Sequence, residues 1–238
     1  MKLNSLILKI VACICMTIDH IGELFFPEVS IFKIIGRLAF PLFAFFIAEG
    51  CKYTRNRLRR LLEILCLGII CETVYILYTG YWYGNVLLTF SLSIILIYIL
   101  QDLKTSIIRE EQSSRKATLM TISFFASVCM VYVLTTYVYF DYEFIGILLP
   151  VIFSIFQYRK VDGETIFHSM NLDKAMYAIG VLLFIIFYRT AYSLPALISI
   201  IFILLYDGTR GNIKFKYGFY LYYPVHLLML EIINYFVK

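Results

Sequence analysis

Long apolar runs, separated by short segments that hold most of the charge, constrain this chain more than any other feature. Nine are read, at roughly 6–26, 31–50, 61–79, 86–101, 118–138, 142–158, 175–188, 192–206 and 219–237. A helix crossing a bilayer core needs about 20 predominantly apolar residues. Within the runs the hydrophobicity is unbroken rather than alternating, which argues for helices and against a barrel. The chain is 61% hydrophobic, whereas soluble domains run at about 45–50%. The expected fold is all-α: a polytopic transmembrane helical bundle of about nine spans, forming one membrane domain over residues 1–238. The longest polar stretches, 102–117 and 159–174, are too short to fold alone.

Charge in the loops predicts the orientation. Lys52, Arg55, Arg57, Arg59 and Arg60 follow the second run, and Lys104, Arg109, Arg115 and Lys116 follow the fourth. Arg159, Lys160 and Lys174 follow the sixth, and Arg210, Lys214 and Lys216 follow the eighth. The alternate loops hold almost none, and TGYWYGN carries no charge. Lysine and arginine are retained on the cytoplasmic side, so the N-terminus is expected inside and the C-terminus outside. The same rule accounts for the formal net charge of +5 without a nucleic-acid partner. Six cysteines lie mostly within apolar runs and lack zinc-type spacing, so no metal is expected. The first run is not expected to be a cleaved signal peptide, because Asp19-His20 interrupts it and no A-x-A site follows.

Those two residues are the informative exception to the apolar pattern. An ionisable side chain in mid-membrane costs about 2.5–3.5 kcal/mol on insertion scales, so it persists where it is paired, wetted or used. At a rise of 1.5 Å per residue, Asp19, His20 and Arg37 lie about 20 Å above the cytoplasmic edge, and Glu72 about 16 Å above it. Two carboxylates, a guanidinium and an imidazole at similar depth suggest a mutually neutralising cluster; the plainer alternative is an ion pair that only fixes helix packing. Adjacent helical residues point about 100° apart, so Asp19 is cast as the partner of Arg37. A carboxylate that orients His20 would come from Glu23 or Glu72. A neutral His20 in a dry site suits a general base or proton shuttle.

Two prolines mark the same neighbourhoods. Pro41 removes the hydrogen bond to the carbonyl of Arg37, which predicts a kink beside the guanidinium. Pro224 does the same for Tyr220, two residues before His226. Asn85 and Thr89 open the fourth run, Glu49 ends the second, and Gly208 and Gly211 flank Arg210 in a loop suited to an anion. His168 lies in a polar loop and is read as incidental. No Walker, Rossmann or metalloprotease motif occurs.

Taken together, TIDHIG (17–22), GRLAFPLFAFFIAEG (36–50), Tyr53-Thr54-Arg55-Asn56, Arg60-Leu61, Asn85 with Thr89, DGTRG (207–211) and YYPVH (222–226) make the chain resemble the TraX family, whose name-giving member is the conjugative pilin acetylase. The likeness runs from the first span to the last. It implies a multi-pass protein of the bacterial cell (inner) membrane, related to membrane acyltransferases that take an acyl group from cytoplasmic acyl-CoA. The acceptor would lie outside: a peptide N-terminal amine, a surface glycan hydroxyl or a lipid. On that basis His20 is the expected base, with Asp19, Arg37 and Glu72 completing the site. His226 and Tyr223 would line the acyl-donor channel, and Arg210, Asn56, Asn85, Thr89 and Glu49 are further binding candidates. Acetyl-CoA would be a co-substrate, and no tightly bound cofactor is expected. The competing classes are a transporter or flippase, disfavoured by the lack of an internal repeat, and an assembly factor without chemistry.

Overall fold

A computed structural model describes residues 3–108, 114–157, 170–188, 190, 192–209, 211 and 216–237. Its elements are α1 (Ser5–Phe25), α2 (Ser30–Gly36), α3 (Ala39–Tyr53), α4 (Arg57–Thr79), α5 (Val86–Ile108), α6 (Ser114–Tyr137), α7 (Glu143–Ser154), α8 (Met170–Phe187), a 3₁₀ turn (Leu194–Leu197) running into α9 (Ile198–Leu204), and α10 (Lys216–Val237). No strand occurs among the described residues; Leu3 and Tyr206 form an isolated parallel bridge.

Five helical stretches are long and apolar enough to cross a membrane: Ser5–Phe25, Ser30–Tyr53, Arg57–Thr79, Val86–Ile107 and Arg115–Tyr137. Of the other expected spans, those at 142–158 and 192–206 correspond to short or divided helices, and in α10 the apolar part is Leu221–Val237. At 12 residues, α7 is about 18 Å long, well short of a hydrocarbon core of about 30 Å. The run expected at 192–206 is split between the 3₁₀ turn and the seven residues of α9. Only 6% of the apolar window of α6 is buried, so almost all of its surface needs lipid or another apolar partner.

The chain packs as two compact units, residues 1–46 with 177–238 and residues 47–176, whose boundaries fall inside α3 and α8. In the first unit, α1 lies between two neighbours. Gly22 abuts Phe32, Asp19 abuts Gly36, and Cys15 packs with Leu38 and Ala39, so the chain through α2 into α3 descends antiparallel to α1. On another face Lys9 sits 5.4 Å from the ring of Phe219, Thr17 meets Tyr222 and His20 meets His226, so α10 runs parallel to α1. Asn4 caps α1 by accepting from the Ile7 amide, and residues 3–5 bond along 205–209. Phe40 and Phe45 of α3 are buried against Phe184, Tyr177 and Tyr206, so these two aromatics are core residues, while Phe43 is partly buried.

The break between α2 and α3 follows from sequence. Pro41 has no N–H to give the Arg37 carbonyl, and it is tolerated in the first turn of a helix, where donors are unpaired in any case. The helix therefore stops at Gly36 and restarts at Ala39, leaving Arg37 and Leu38 in a turn.

In the second unit, α4 and α5 form an antiparallel hairpin. At one end Arg57 Nη1 bonds Asp102 Oδ1 at 2.5 Å; towards the other, Gly68 packs on Leu87 and Leu88. Helix α7 runs parallel to α5: the hydroxyls of Thr89 and Ser93 donate to the carbonyls of Asp141 and Ile147, and Lys104 donates to Ser154 and Gln157. The turn at 80–85 and the segment 139–141 are joined by Trp82 Nε1 to the Tyr139 carbonyl, 2.8 Å, and by the Asp141 amide to the Gly84 carbonyl. Gly84, at φ +67°, has no room for a side chain, because a Cβ would overlap Tyr139 and Phe140. One end of this unit is thus aromatic (Tyr81, Trp82, Tyr83, Tyr139) and the other basic (Arg57, Arg59, Arg60, Lys104).

Candidate functional site

The divergence of Asp19 and His20 on α1 sorts the charged groups into two linked arrangements. Asp19 faces the turn between α2 and α3. Its carboxyl rests directly on Gly36, where even a methyl group would overlap Cγ and Oδ1. Small residues at helix contacts let backbones approach closely, and here the glycine admits a carboxylate. Arg37 follows at once, and its positive charge is the strongest to reach Asp19, with Lys33 and the carboxylate of Glu23 acting more weakly.

His20 faces α10. Its Nδ1 lies 3.0 Å from Nε2 of His226, with ring centroids 5.0 Å apart. His226 is 6% exposed, and its Nδ1 lies 2.7 Å from the carbonyl oxygen of Tyr222. The Tyr222 ring stacks on His226 at 5.0 Å and 9°, while Tyr223 meets it edge-on at 6.0 Å. Tyr222 also reaches back to α1: its hydroxyl is 2.5 Å from Thr17 Oγ1, which donates to the Cys13 carbonyl. Cys13, Thr17 and His20 recur at three- and four-residue spacing, so these contacts to α10 come from one stripe of α1.

The structure thus brings Asp19 to Gly36 and Arg37, and His20 to His226 and Tyr222, on two faces of one helix. An imidazole, rather than either carboxylate, holds the ring of His20. Glu72 is committed elsewhere, in the second unit. Its Oε1 accepts from the amides of Tyr83 and Gly84 at 2.7 and 3.0 Å, and its Oε2 from the amide and side chain of Asn85 at 3.0 and 2.8 Å. Four donors from three consecutive residues make Glu72 the clamp of the turn between α4 and α5, and it is 2% exposed.

Other expected binding residues also have local work. Asn85 caps α5 through the Leu87 amide and donates to the Gly68 carbonyl. Thr89 is fully buried and donates to Asp141. Asn56 caps α4 by accepting from the Arg59 amide at 2.9 Å. Glu49 is half-buried near the end of α3. Arg210 lies outside the described residues; next to it, the Asp207 carboxylate accepts from the amide and hydroxyl of Thr209.

Three participants are not among the site residues expected from the sequence. Gly36 is one, and Thr17 another. The third is Lys9, whose ammonium lies 5.1 Å from the ring of Phe46 and 5.4 Å from that of Phe219. Eleven residues are three helical turns to within about 20°, so Lys9 shares the His20 stripe; a lone cation in the first apolar run was the available signal. Among the described residues no group of three or more His, Cys, Asp or Glu could hold a metal ion.

Comparison with known proteins places this geometry in context. The profile of the family described as TraX protein matches residues 4–234. A protein of Dichelobacter nodosus named probable fimbrial assembly protein FimC, serogroup H1, is 27% identical over 250 aligned positions, covering 94% of this chain and 92% of that one. An uncharacterized protein of Rickettsia prowazekii (strain Madrid E), RP591, is 37% identical over 102 positions, covering 42% of this chain and 39% of that protein. No solved structure matches.

Proposed function

The chain belongs to the TraX family, and on that premise we propose that it is an integral-membrane acyltransferase. It would move an acetyl group from cytoplasmic acetyl-CoA to an acceptor at the outer side of the membrane. The observation that carries the reading is the imidazole pair of His20 and His226, one face of α1 away from Asp19 and Arg37, inside helices otherwise made for lipid. Ionisable groups in such positions mark functional sites by default.

In this reading His20 is the general base. It takes the proton from the acceptor amine or hydroxyl as that nitrogen or oxygen attacks the thioester carbonyl carbon. The carbon–sulfur bond breaks, and the departing thiolate recovers the proton from the imidazolium. The products are an amide or ester and coenzyme A thiol. A positioned base of this kind contributes about 10²–10⁴-fold. Asp19 and Arg37 set opposite charges beside the break between α2 and α3, next to the site.

Topology supports transfer across the membrane. The parallel course of α1 and α10 favours an odd number of crossings, in keeping with nine spans and termini on opposite sides. The basic end of the second unit suits the cytoplasm and its aromatic end the outer interface. The acceptor is an exported peptide, glycan or lipid; the fimbrial assembly role in the name of the Dichelobacter relative favours a pilus subunit. That same name favours a second reading, a pilus assembly factor without chemistry.

Purified protein in nanodiscs, given acetyl-CoA labelled in the acetyl group and membranes from cells lacking this chain, tests the reading. Label should pass to a membrane or surface acceptor with wild type and not with His20→Ala. Equal transfer by both would remove His20 from the mechanism.

A further inference from the structure

We infer that His226 is a positioning residue that fixes the tautomer of His20, leaving the basic lone pair on Nε2 of His20. The inference rests on the acyltransferase reading for its function but on hydrogen-bond geometry alone for its structure.

The argument begins at the carbonyl of Tyr222. A carbonyl oxygen only accepts, so the 2.7 Å contact requires the proton on Nδ1 of His226. Among the described residues neither ring has a carboxylate partner, and an uncompensated cation at this depth would cost about 2.5–3.5 kcal/mol. Both rings are therefore neutral at rest. A neutral His226 protonated at Nδ1 has a bare Nε2, which can only accept. The 3.0 Å contact then requires Nδ1 of His20 to donate. A neutral His20 protonated at Nδ1 has its lone pair on Nε2. The Tyr222 carbonyl thus sets two tautomers in series, with the Met16 carbonyl a further backbone acceptor beside His20.

A triad carboxylate has the same task, accepting from Nδ1 of a catalytic histidine so that Nε2 is free to act. Here a second imidazole accepts instead, which suits a lipid-embedded site because it brings no charge to bury. The rest of the assembly holds that acceptor still. Tyr222 stacks on the His226 ring and is tied through its hydroxyl to Thr17, one turn below His20 on α1. The stacking face, the carbonyl and the hydroxyl all belong to Tyr222, so this one residue registers α10 against α1.

The test uses the three histidines of the chain, His20, His168 and His226. Protein labelled with ¹⁵N-histidine in nanodiscs, assigned by single substitutions, reports which ring nitrogen of each carries hydrogen. Wild type should show His20 protonated at Nδ1 and bare at Nε2. His226→Phe keeps a ring against Tyr222 but accepts nothing; His20 should shift toward the Nε2–H form, and release of coenzyme A thiol should fall about 100-fold. His226→Gln, whose amide oxygen can take the place of Nε2, should restore the Nδ1–H form and bring the rate to within about tenfold of wild type. Nε2–H on His20 in wild type, or an unchanged tautomer and rate in His226→Phe, overturns the inference. The expected tautomers in a protein that releases no thiol from acetyl-CoA would uphold the assignment of His226 and instead overturn the acyltransferase reading.

Discussion

Nδ1 of His20 and Nε2 of His226 lie 3.0 Å apart, although 206 positions separate them in the chain. The contact joins the first helix to the last, and it exists because α1 and α10 run side by side in the same direction. On α1 Cys13, Thr17 and His20 form a stripe at three- and four-residue spacing, and it meets Tyr222 and His226, four residues apart on α10. The site is therefore a property of the helix pairing.

Gly36 is where the other half of the site is most exposed to substitution. Gly36→Ala should drive a methyl group into the Asp19 carboxyl and push α2 from α1. Overpacking costs about 1–3 kcal/mol, so thermal stability in detergent should fall clearly. Combined with Asp19→Ala, the total loss should be smaller than the sum of the two single losses, because the methyl group then has no carboxyl to meet. Strictly additive losses in that double-mutant cycle would show that the two residues do not touch.

Asp19 and Arg37 distinguish chemistry from packing. Asp19→Asn alone removes the negative charge beside Arg37 and should destabilise the fold by about 1–3 kcal/mol. Replacing both, as Asp19→Leu with Arg37→Met, removes the charge problem and should restore folding while acyl transfer stays lost. Full transfer by the apolar pair would reduce the charges to a packing device.

Glu72 should behave differently from His20. Glu72→Ala strands the amides of residues 83–85, each buried unpaired donor costing about 1–3 kcal/mol. Expression and melting temperature should drop sharply, yet protein that does fold should keep its turnover rate. Normal stability with no turnover would return Glu72 to the catalytic group.

Orientation can be read by cysteine labelling. Trp82→Cys should react with an impermeant maleimide added to intact cells, and Arg55→Cys only after the cells are broken. The reverse pattern would invert the protein and place the basic end outside.

Much of the fold was legible because hydropathy and capping are local. The runs read at 6–26 and 61–79 became Ser5–Phe25 and Arg57–Thr79. Pro41 foretold a disturbance at Arg37, which is a complete helix break. The 100° between Asp19 and His20 already separated their partners, as helical geometry demands. What could not be read was which helices are neighbours, since every span presents similar apolar faces to its surroundings. Hence a carboxylate was expected at His20, where the structure has His226. Glu72 illustrates the same limit: depth placed it among the charged groups, whereas its hydrogen bonds tie it to the turn it closes. Lys9 and Gly36 were not read as site residues, because what a lone cation or a glycine meets depends on which helix lies alongside.

The most direct test compares acyl transfer by wild type and His20→Gln in sealed proteoliposomes, with labelled acetyl-CoA confined to the side bearing Arg55 and the acceptor to the other. The account predicts transfer by wild type and a loss of about 10²–10⁴-fold in the variant at unchanged insertion. Transfer that survives the loss of the imidazole, or that requires donor and acceptor on the same side, would contradict it.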